Sequence, residues 1–193
     1  SSGMSTMSEI SKALKVLTFY GAKKKNITVL HCHSEYPTDL KDVNLLAMRE
    51  IQKKMKIDVG YSDHTLGSDV GISAVSLGAK VLEKHITINR NMKGPDHKAS
   101  LNPVEFSNYV KSIRNTEILL GSNIKKPSNI EIENKKLVRK SIVAKAKIFK
   151  GEYFSQKNIT CKRPEGGMSP MRWNDIIGKK SKRNFKINEM IVL

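Results

Sequence analysis

Two histidines, His64 and His85, each follow a short apolar run, and each has a carboxylate close by in the chain, Asp63 and Glu83 respectively. A neutral imidazole is a general base and a ligand for divalent transition metals. Two of them converging from neighbouring strand ends could hold such an ion, with water and substrate oxygens completing its sphere. Their spacing matches no short zinc signature such as HExxH, so on mechanics alone a metal pair and a hydrogen-bonded histidine network stand level. His31, set against the run ITVL, reads as packed or supporting. Cys32 reads as core or wall, because no second cysteine stands at redox or zinc spacing. In HCHSEYPT, His33 and Ser34 point to opposite sides if the strand persists. Tyr36, held extended by Pro37, reads equally as pocket lining or as a surface turn.

Chemistry at strand ends needs strands that end together, and the patterning supplies them. Thr6 and Glu9 form a candidate capping box ahead of Ile10, Ala13, Leu14 and Leu17, with Gly21 as the stop. Ile27–His31 reads as a strand and Leu40–Met55 as a helix presenting Val43, Leu46, Ala47 and Ile51. A strand around Ile57–Tyr61, the loop SDHTLG, a short helix over Asp69–Leu77 and a strand over Lys80–Lys84 follow. A last helix opens at Asn102, with Pro103 first and Glu105 third, and turns Phe106, Tyr109, Val110 and Ile113 inward before Gly121. This alternation predicts parallel strands under helices, as an open sheet or part of a (β/α)₈ barrel, whose strand ends carry its chemistry. Only about half of the eight strands of such a barrel are here. The start SSGM therefore reads as interior to a longer protein. No Gly-rich fingerprint follows any strand, which disfavours a nucleotide fold.

The chain of 193 residues, 38% hydrophobic, has no apolar stretch of membrane-spanning length. Two distant cysteines and no signal peptide make a reducing cytoplasm the expectation. After a polar linker over 122–134, residues 135–193 alternate short apolar pieces with turns at Lys150-Gly151, Glu165-Gly166-Gly167 and Gly178, predicting a small β-rich domain. The formal charge of +17 is uneven, since 16 Lys/Arg and only 6 Asp/Glu fall in 131–193. A basic nucleic-acid-binding module is the non-enzyme reading of that charge. No zinc finger or helix-turn-helix signal supports it, no aromatic row either, and Trp173 is the one tryptophan.

The blocks STMSEI, HCHSEYPT, VGYSDHTLG, LEKHIT, NRNMKGPDHKAS and KRPEGGMSPMRW, in this order through essentially the whole chain, resemble the sialic acid synthase family. These enzymes condense phosphoenolpyruvate with an N-acylated hexose to give nonulosonic acids. The resemblance implies the C-terminal half of a (β/α)₈ barrel over 1–121, then an antifreeze-like (SAF) domain over 135–193. It matches His64 and His85 to ligands of a divalent metal, Mn²⁺ first, with Mg²⁺ or Co²⁺ possible. It matches Glu83 to an acid beside that metal, with Asp63 as a second candidate for orienting water or moving a proton. Ser62, Ser2 and Ser34 fall where the phosphate and carboxylate of phosphoenolpyruvate are held, and Tyr36 and Asp96 where the sugar is met. Arg163, in KRP, matches a basic residue that enters the other subunit's site in a domain-swapped homodimer. The segment GGMSPMRW is closer to sialic or legionaminic acid synthases than to pseudaminic acid synthases. The acceptor expected is N-acetylmannosamine, with 2,4-diacetamido-2,4,6-trideoxymannose as the alternative, and neither nucleic acid nor membrane is an expected partner.

Two residues depart from the family pattern. His33 stands where a small hydroxyl residue is usual, and Glu165 interrupts a glycine-rich turn beside Arg163. Taken alone, half a barrel with open edges is expected to aggregate or oligomerise and to lack turnover.

Overall fold

Local side-chain to backbone bonds start the helices where the sequence places them. In the computed structural model, which describes residues 1–192, the Glu9 carboxylate accepts from the Thr6 amide at 2.7 Å and opens α1, Met7–Phe19. Asn102 and Glu105 form the same reciprocal pair and open α4, Pro103–Leu120, with Pro103 in its first turn. Each satisfies donors that a helix N-terminus leaves unpaired. The backbone bond at Thr6, followed by its side-chain bond, holds the Glu9 carboxyl below its ordinary range.

Three parallel strands, β1 (Thr28–Cys32), β2 (Asp58–Asp63) and β3 (Leu82–Lys84), lie in that order. Ile86 bridges Leu101 in parallel beyond β3, and the Ser2 amide bonds the Leu30 carbonyl beside β1. The result is an α/β fold with a partial parallel sheet; among the described residues no closed barrel forms. Strand alternation sorts the side chains. Val59 and Tyr61 of β2 enter a core with Ile10, Leu14, Met48, Ile51, Val70 and Ala74, so this face carries the helices. Gly60 and Ser62 project to the opposite face. A Cβ on Gly60 would meet the Leu30 side chain and the Val81 carbonyl, each at 2.4 Å.

Three expectations are corrected. The helix predicted from Leu40 begins at Leu46: Leu40–Asp42 is a 3₁₀ turn, and Asn44, at φ 45°, interrupts the α-helical path. Helix α2 is thus Leu46–Met55, and Met48, fully buried, takes the core place expected of Leu46, which is exposed. In α1 only Ile10 and Leu14 are buried, while Ala13 and Leu17 are exposed, because β1 is the last strand of the sheet on that side. In α4, Tyr109 and Ile113 are buried but Val110 is exposed.

The chain divides into two units, Ser1–Ser122 and Asn123–Leu193. The polar stretch expected as linker is partly helical, since Ser128 and Glu131 form a third capping box that opens α5, Asn129–Val138. The second unit pairs β4 (Ser141–Ala144) antiparallel with β5 (Ile159–Lys162) and adds bridges at Val143–Met190, Ile148–Phe185 and Tyr153–Lys180. Ile142, Ile148, Phe154, Ile159, Ile176, Phe185 and Ile191 fill its core. Among the described residues no helix is long and apolar enough to cross a membrane.

Helix α3, Asp69–Ser76, crosses α4 at Gly71, where an added Cβ would lie 2.2 Å from the Tyr109 hydroxyl and 2.7 Å from its Cζ. Alanine is favoured over glycine in helices by about 1 kcal/mol, but overpacking a close crossing costs roughly 1–3 kcal/mol. Because Tyr109 is buried and its ring is rigid, overpacking wins. Gly71→Ala is expected to lower the urea midpoint; a raised midpoint would show that the two helices separate without cost.

Candidate active site

Residues one step past β2 and β3 converge. The rings of His64 and His85 lie 5.2 Å apart, centroid to centroid, and Tyr36 stands against both, 5.1 Å from His64 and 4.3 Å from His85. His64 Nδ1 lies 2.9 Å from the His33 carbonyl oxygen. A carbonyl only accepts, so Nδ1 carries the hydrogen and Nε2 keeps its lone pair. The backbone around this ring is also held, since the Thr38 amide donates to the His64 carbonyl at 2.9 Å. Cys32 is buried with its Sγ 3.8 Å from His64 Nδ1, as wall. His85 Nδ1 faces Asp96 Oδ2 at 3.8 Å. The Tyr36 hydroxyl lies 3.3 Å from Ser100 Oγ, and Ser100 in turn donates to the Asp96 carbonyl at 2.7 Å, which ties the GPDHKAS loop to the histidines. Burial raises the Tyr36 phenol against the opposing Ser100 bond, with Asp96 and Asp63 adding to the rise, so it remains a neutral phenol near pH 7.

The two carboxylates next to the histidines in sequence lie on opposite faces of the sheet. Ser62 is in register with Glu83, and its hydroxyl donates to Glu83 Oε1 at 2.6 Å on the face away from the helices. Asp63 is in register with Lys84 and turns to the helix side. There Asp63 accepts from the Thr65 amide at 2.9 Å, the Thr65 hydroxyl at 2.6 Å, Lys84 Nζ at 3.0 Å and the Tyr109 hydroxyl at 3.4 Å. Both members of the ion pair are essentially inaccessible, Lys84 at 2% and Asp63 at 0%. A proton-shuttling Asp63 therefore does not fit this geometry. Burial, with Asp63 as the next cause, raises the phenols of Tyr61 and Tyr109.

The remaining candidates are spread more widely. Both donors of Ser2, its amide and its hydroxyl, are spent on the Leu30 carbonyl at 2.9 Å, which leaves neither for an anion. Ser34 is exposed and packs beside Gly3, whose added Cβ would meet Ser34 Oγ at 2.4 Å. Arg163 belongs to the second unit, where it is exposed; among the described residues it forms no ion pair with Glu165, whose amide instead donates to the Lys136 carbonyl at 3.0 Å. Lys84 was not among the residues singled out from sequence. The signal was there, since it precedes His85 as Asp63 precedes His64, and strand alternation puts both on the helix face.

The donor set suits an ion held by two imidazoles with oxygen ligands from elsewhere, because His64 Nε2 is left with its lone pair and Tyr36 walls the pair without offering a charge. Among the described residues no group of three or more His, Cys, Asp or Glu side chains is arranged to hold a metal.

A partial parallel sheet with its polar groups gathered at the strand ends defines an α/β unit, and a β-rich unit follows it in the chain. Residues 1–125 match the NeuB family and 139–193 the SAF domain, and the chain belongs to the NeuB family. It is 50% identical to an N,N'-diacetyllegionaminic acid synthase of Campylobacter jejuni over 99% of this chain and 57% of that protein. It is 41% identical to another of Legionella pneumophila, over 96% of this chain and 52% of that protein. Among solved structures, the spore coat polysaccharide biosynthesis protein spsE of Bacillus subtilis superposes with a TM-score of 0.56 at 31% identity, over 97% of this chain and 57% of that one. The chain spans about half the length of the curated relatives it matches.

The His33 carbonyl dictates one ring state. In ¹⁵N NMR at pH 8, His64 is expected as the neutral Nδ1–H tautomer, with Nε2 showing the pyridine-type shift. An Nε2–H ring would mean that the bond to His33 is not made in solution and that the ring faces the site with its hydrogen.

Proposed function

We propose that this chain carries the metal-holding part of a phosphoenolpyruvate-dependent nonulosonic acid synthase. Its acceptor in this reading is 2,4-diacetamido-2,4,6-trideoxymannose, and N-acetylmannosamine is the second candidate. The observation that carries the proposal is the His64–His85 pair, 5.2 Å apart at adjacent strand ends, with His64 oriented by the His33 carbonyl. Similarity of 50% and 41% to two N,N'-diacetyllegionaminic acid synthases supports the choice of acceptor. The three parallel strands are read as part of the C-terminal half of a (β/α)₈ barrel, and the share of its relatives that the chain spans supports this.

In this reaction C3 of phosphoenolpyruvate bonds to the aldehyde carbon of the open-chain sugar, water adds at C2, and C2–O cleavage releases inorganic phosphate. A divalent ion held by His64 and His85, Mn²⁺ first and Mg²⁺ or Co²⁺ as substitutes, supplies Lewis acidity toward the aldehyde oxygen. Glu83, fixed by the Ser62 hydroxyl on the open face, is assigned to orient the water that adds at C2 and to take its proton. Ser34 is assigned to the substrate anion, while Ser62 acts through Glu83. Tyr36 and Asp96, joined through Ser100, are assigned to the sugar. Arg163 offers directed donors suited to a sugar amide carbonyl, delivered to the partner's site in a domain-swapped homodimer.

In the full-length protein, His64→Ala and His85→Ala are each expected to lower Mn²⁺-dependent kcat by roughly 10²–10³-fold, the equivalent of several kcal/mol of lost charge stabilisation, with the fold retained. Undiminished turnover of both variants after exhaustive chelation would remove the metal reading. Comparing kcat/KM for the two acceptors tests the substrate: a higher value for N-acetylmannosamine would exchange their order.

Arg163 is tested by complementation. In the full-length protein, Arg163→Ala alone is expected to lose sugar-dependent turnover, and mixing it with His85→Ala should restore activity in proportion to mixed dimers. Proven mixed dimers without activity would rule out exchange between subunits.

A further inference from the structure

Lys84 is a buried charge that the proposed chemistry does not use, and it bonds the residues on both sides of His64, the side chain of Asp63 and the backbone carbonyl of Thr65. Its side chain is 2% exposed, and the ammonium bonds Asp63 Oδ2 at 3.0 Å and also donates to the Thr65 carbonyl. Asp63 and Thr65 flank His64, and Asp63 Oδ1 closes a tight turn around it by accepting from the Thr65 amide and hydroxyl. Lys84 is itself the neighbour of His85 and the register partner of Asp63 across β2 and β3. One ammonium thus fastens the segment that carries His64 to the strand that carries His85. Tyr109 reaches the same carboxylate from α4 and closes the network from behind. Other groups facing the ammonium are few: the Tyr109 ring lies 5.7 Å from Nζ, and no second acid of the described residues pairs with it.

We infer that Lys84, acting through Asp63 and Thr65, is a positioning residue that sets the separation and orientation of the two imidazoles. The inference rests on the metal reading given above and adds the part that holds its geometry. A carboxylate and an ammonium on the helix side contribute nothing directly to an ion on the other face. A hydrogen-bonded charge pair does, however, fix two strand ends in direction as well as in distance, which apolar packing does not. The supporting groups behind metal ligands commonly affect affinity by roughly 10- to 100-fold.

The test separates positioning from stability. Lys84→Met alone strands the Asp63 carboxylate without a counter-charge and is expected to melt early, so it does not decide the matter. The informative variant is Asp63→Asn with Lys84→Met, which leaves no unpaired charge and keeps an amide oxygen for the Thr65 amide and hydroxyl. In the intact protein, Mn²⁺ binding is read by electron paramagnetic resonance beside the melting temperature. The double variant is expected to melt near the wild type while binding Mn²⁺ roughly 10- to 100-fold more weakly. Mn²⁺ affinity within about twofold of wild type in the folded double variant would overturn the inference. Should the double variant not fold, Lys84→Arg reads the same tether, because it keeps a cation for Asp63 while moving the donor from its place between Asp63 and the Thr65 carbonyl: a several-fold weaker affinity supports the positioning role, and an unchanged affinity overturns it. Wild-type protein that binds no Mn²⁺ would overturn the metal reading itself, and the tether's purpose with it, whereas equal binding by wild type and variant removes the tether alone.

Discussion

The parallel register of β2 and β3 is the constraint on which the arrangement depends. With Ser62 opposite Glu83 and Asp63 opposite Lys84, alternate residues leave the sheet on alternate faces. Ser62 and Glu83 meet on the open face, Asp63 and Lys84 meet under the helices, and the next residue of each strand is a histidine. A slip of β3 by one residue would exchange its faces, bringing the Lys84 ammonium to the open face in place of Glu83 and turning His85 away from His64. Helix α4 guards that register from behind, since Tyr109, seated against Gly71 of α3, reaches the Asp63 carboxylate.

Burying the Asp63–Lys84 pair is not a cheap way to hold two strands together. Each ion forfeits several kcal/mol of hydration, and their attraction offsets this only when the remaining lone pairs and protons are satisfied. Here they are: Asp63 accepts from Thr65, Lys84 and Tyr109, and Lys84 reaches the Thr65 carbonyl as well. An apolar pair of similar volume would serve stability as well, so what the charges add is direction. The exposed pairs Glu50–Lys54 and Arg114–Glu117 are a different case, since their charges stay hydrated and salt screens the attraction. Tyr61 marks the limit of the arrangement, because its buried hydroxyl has no partner among the described residues.

What could be read from the sequence was what is local. Thr6 with Glu9 and Asn102 with Glu105 announce helix starts because each pair is complete within four residues. The ends of β2 and β3, and so the positions of His64 and His85, followed from where apolar runs give way to turn formers. Nearness in sequence does not separate Asp63 from Glu83; strand alternation does, since it sends Asp63 to the helix side and leaves Glu83 on the open face. The start of helix α2 is hidden for another reason: the apolar spacing of Leu40–Met55 carries no sign that Asn44 adopts a left-handed conformation. In α1, periodicity tells which residues share a stripe, not whether a sheet lies under all of it.

The basic character of the second unit has an answer in the same terms. Single-stranded nucleic acid needs aromatic faces in a row as well as positive potential. In this unit Phe154 and Phe185 are buried in the core, stacked edge to face at 5.9 Å. Tyr153 lies under Lys180 at 5.3 Å, and Arg183 covers Phe185 at 4.1 Å from its ring centroid. The cations thus sit over aromatic faces that a stacked base would need, and Arg183 is further engaged by Glu189, whose carboxyl is held low first by the Lys186 amide and then by Arg183 itself. Phe149 is exposed as well, a single further face and not a row of them. A positive field without such a row favours small anions, which respond to charge at a distance and need only a few directed donors at contact.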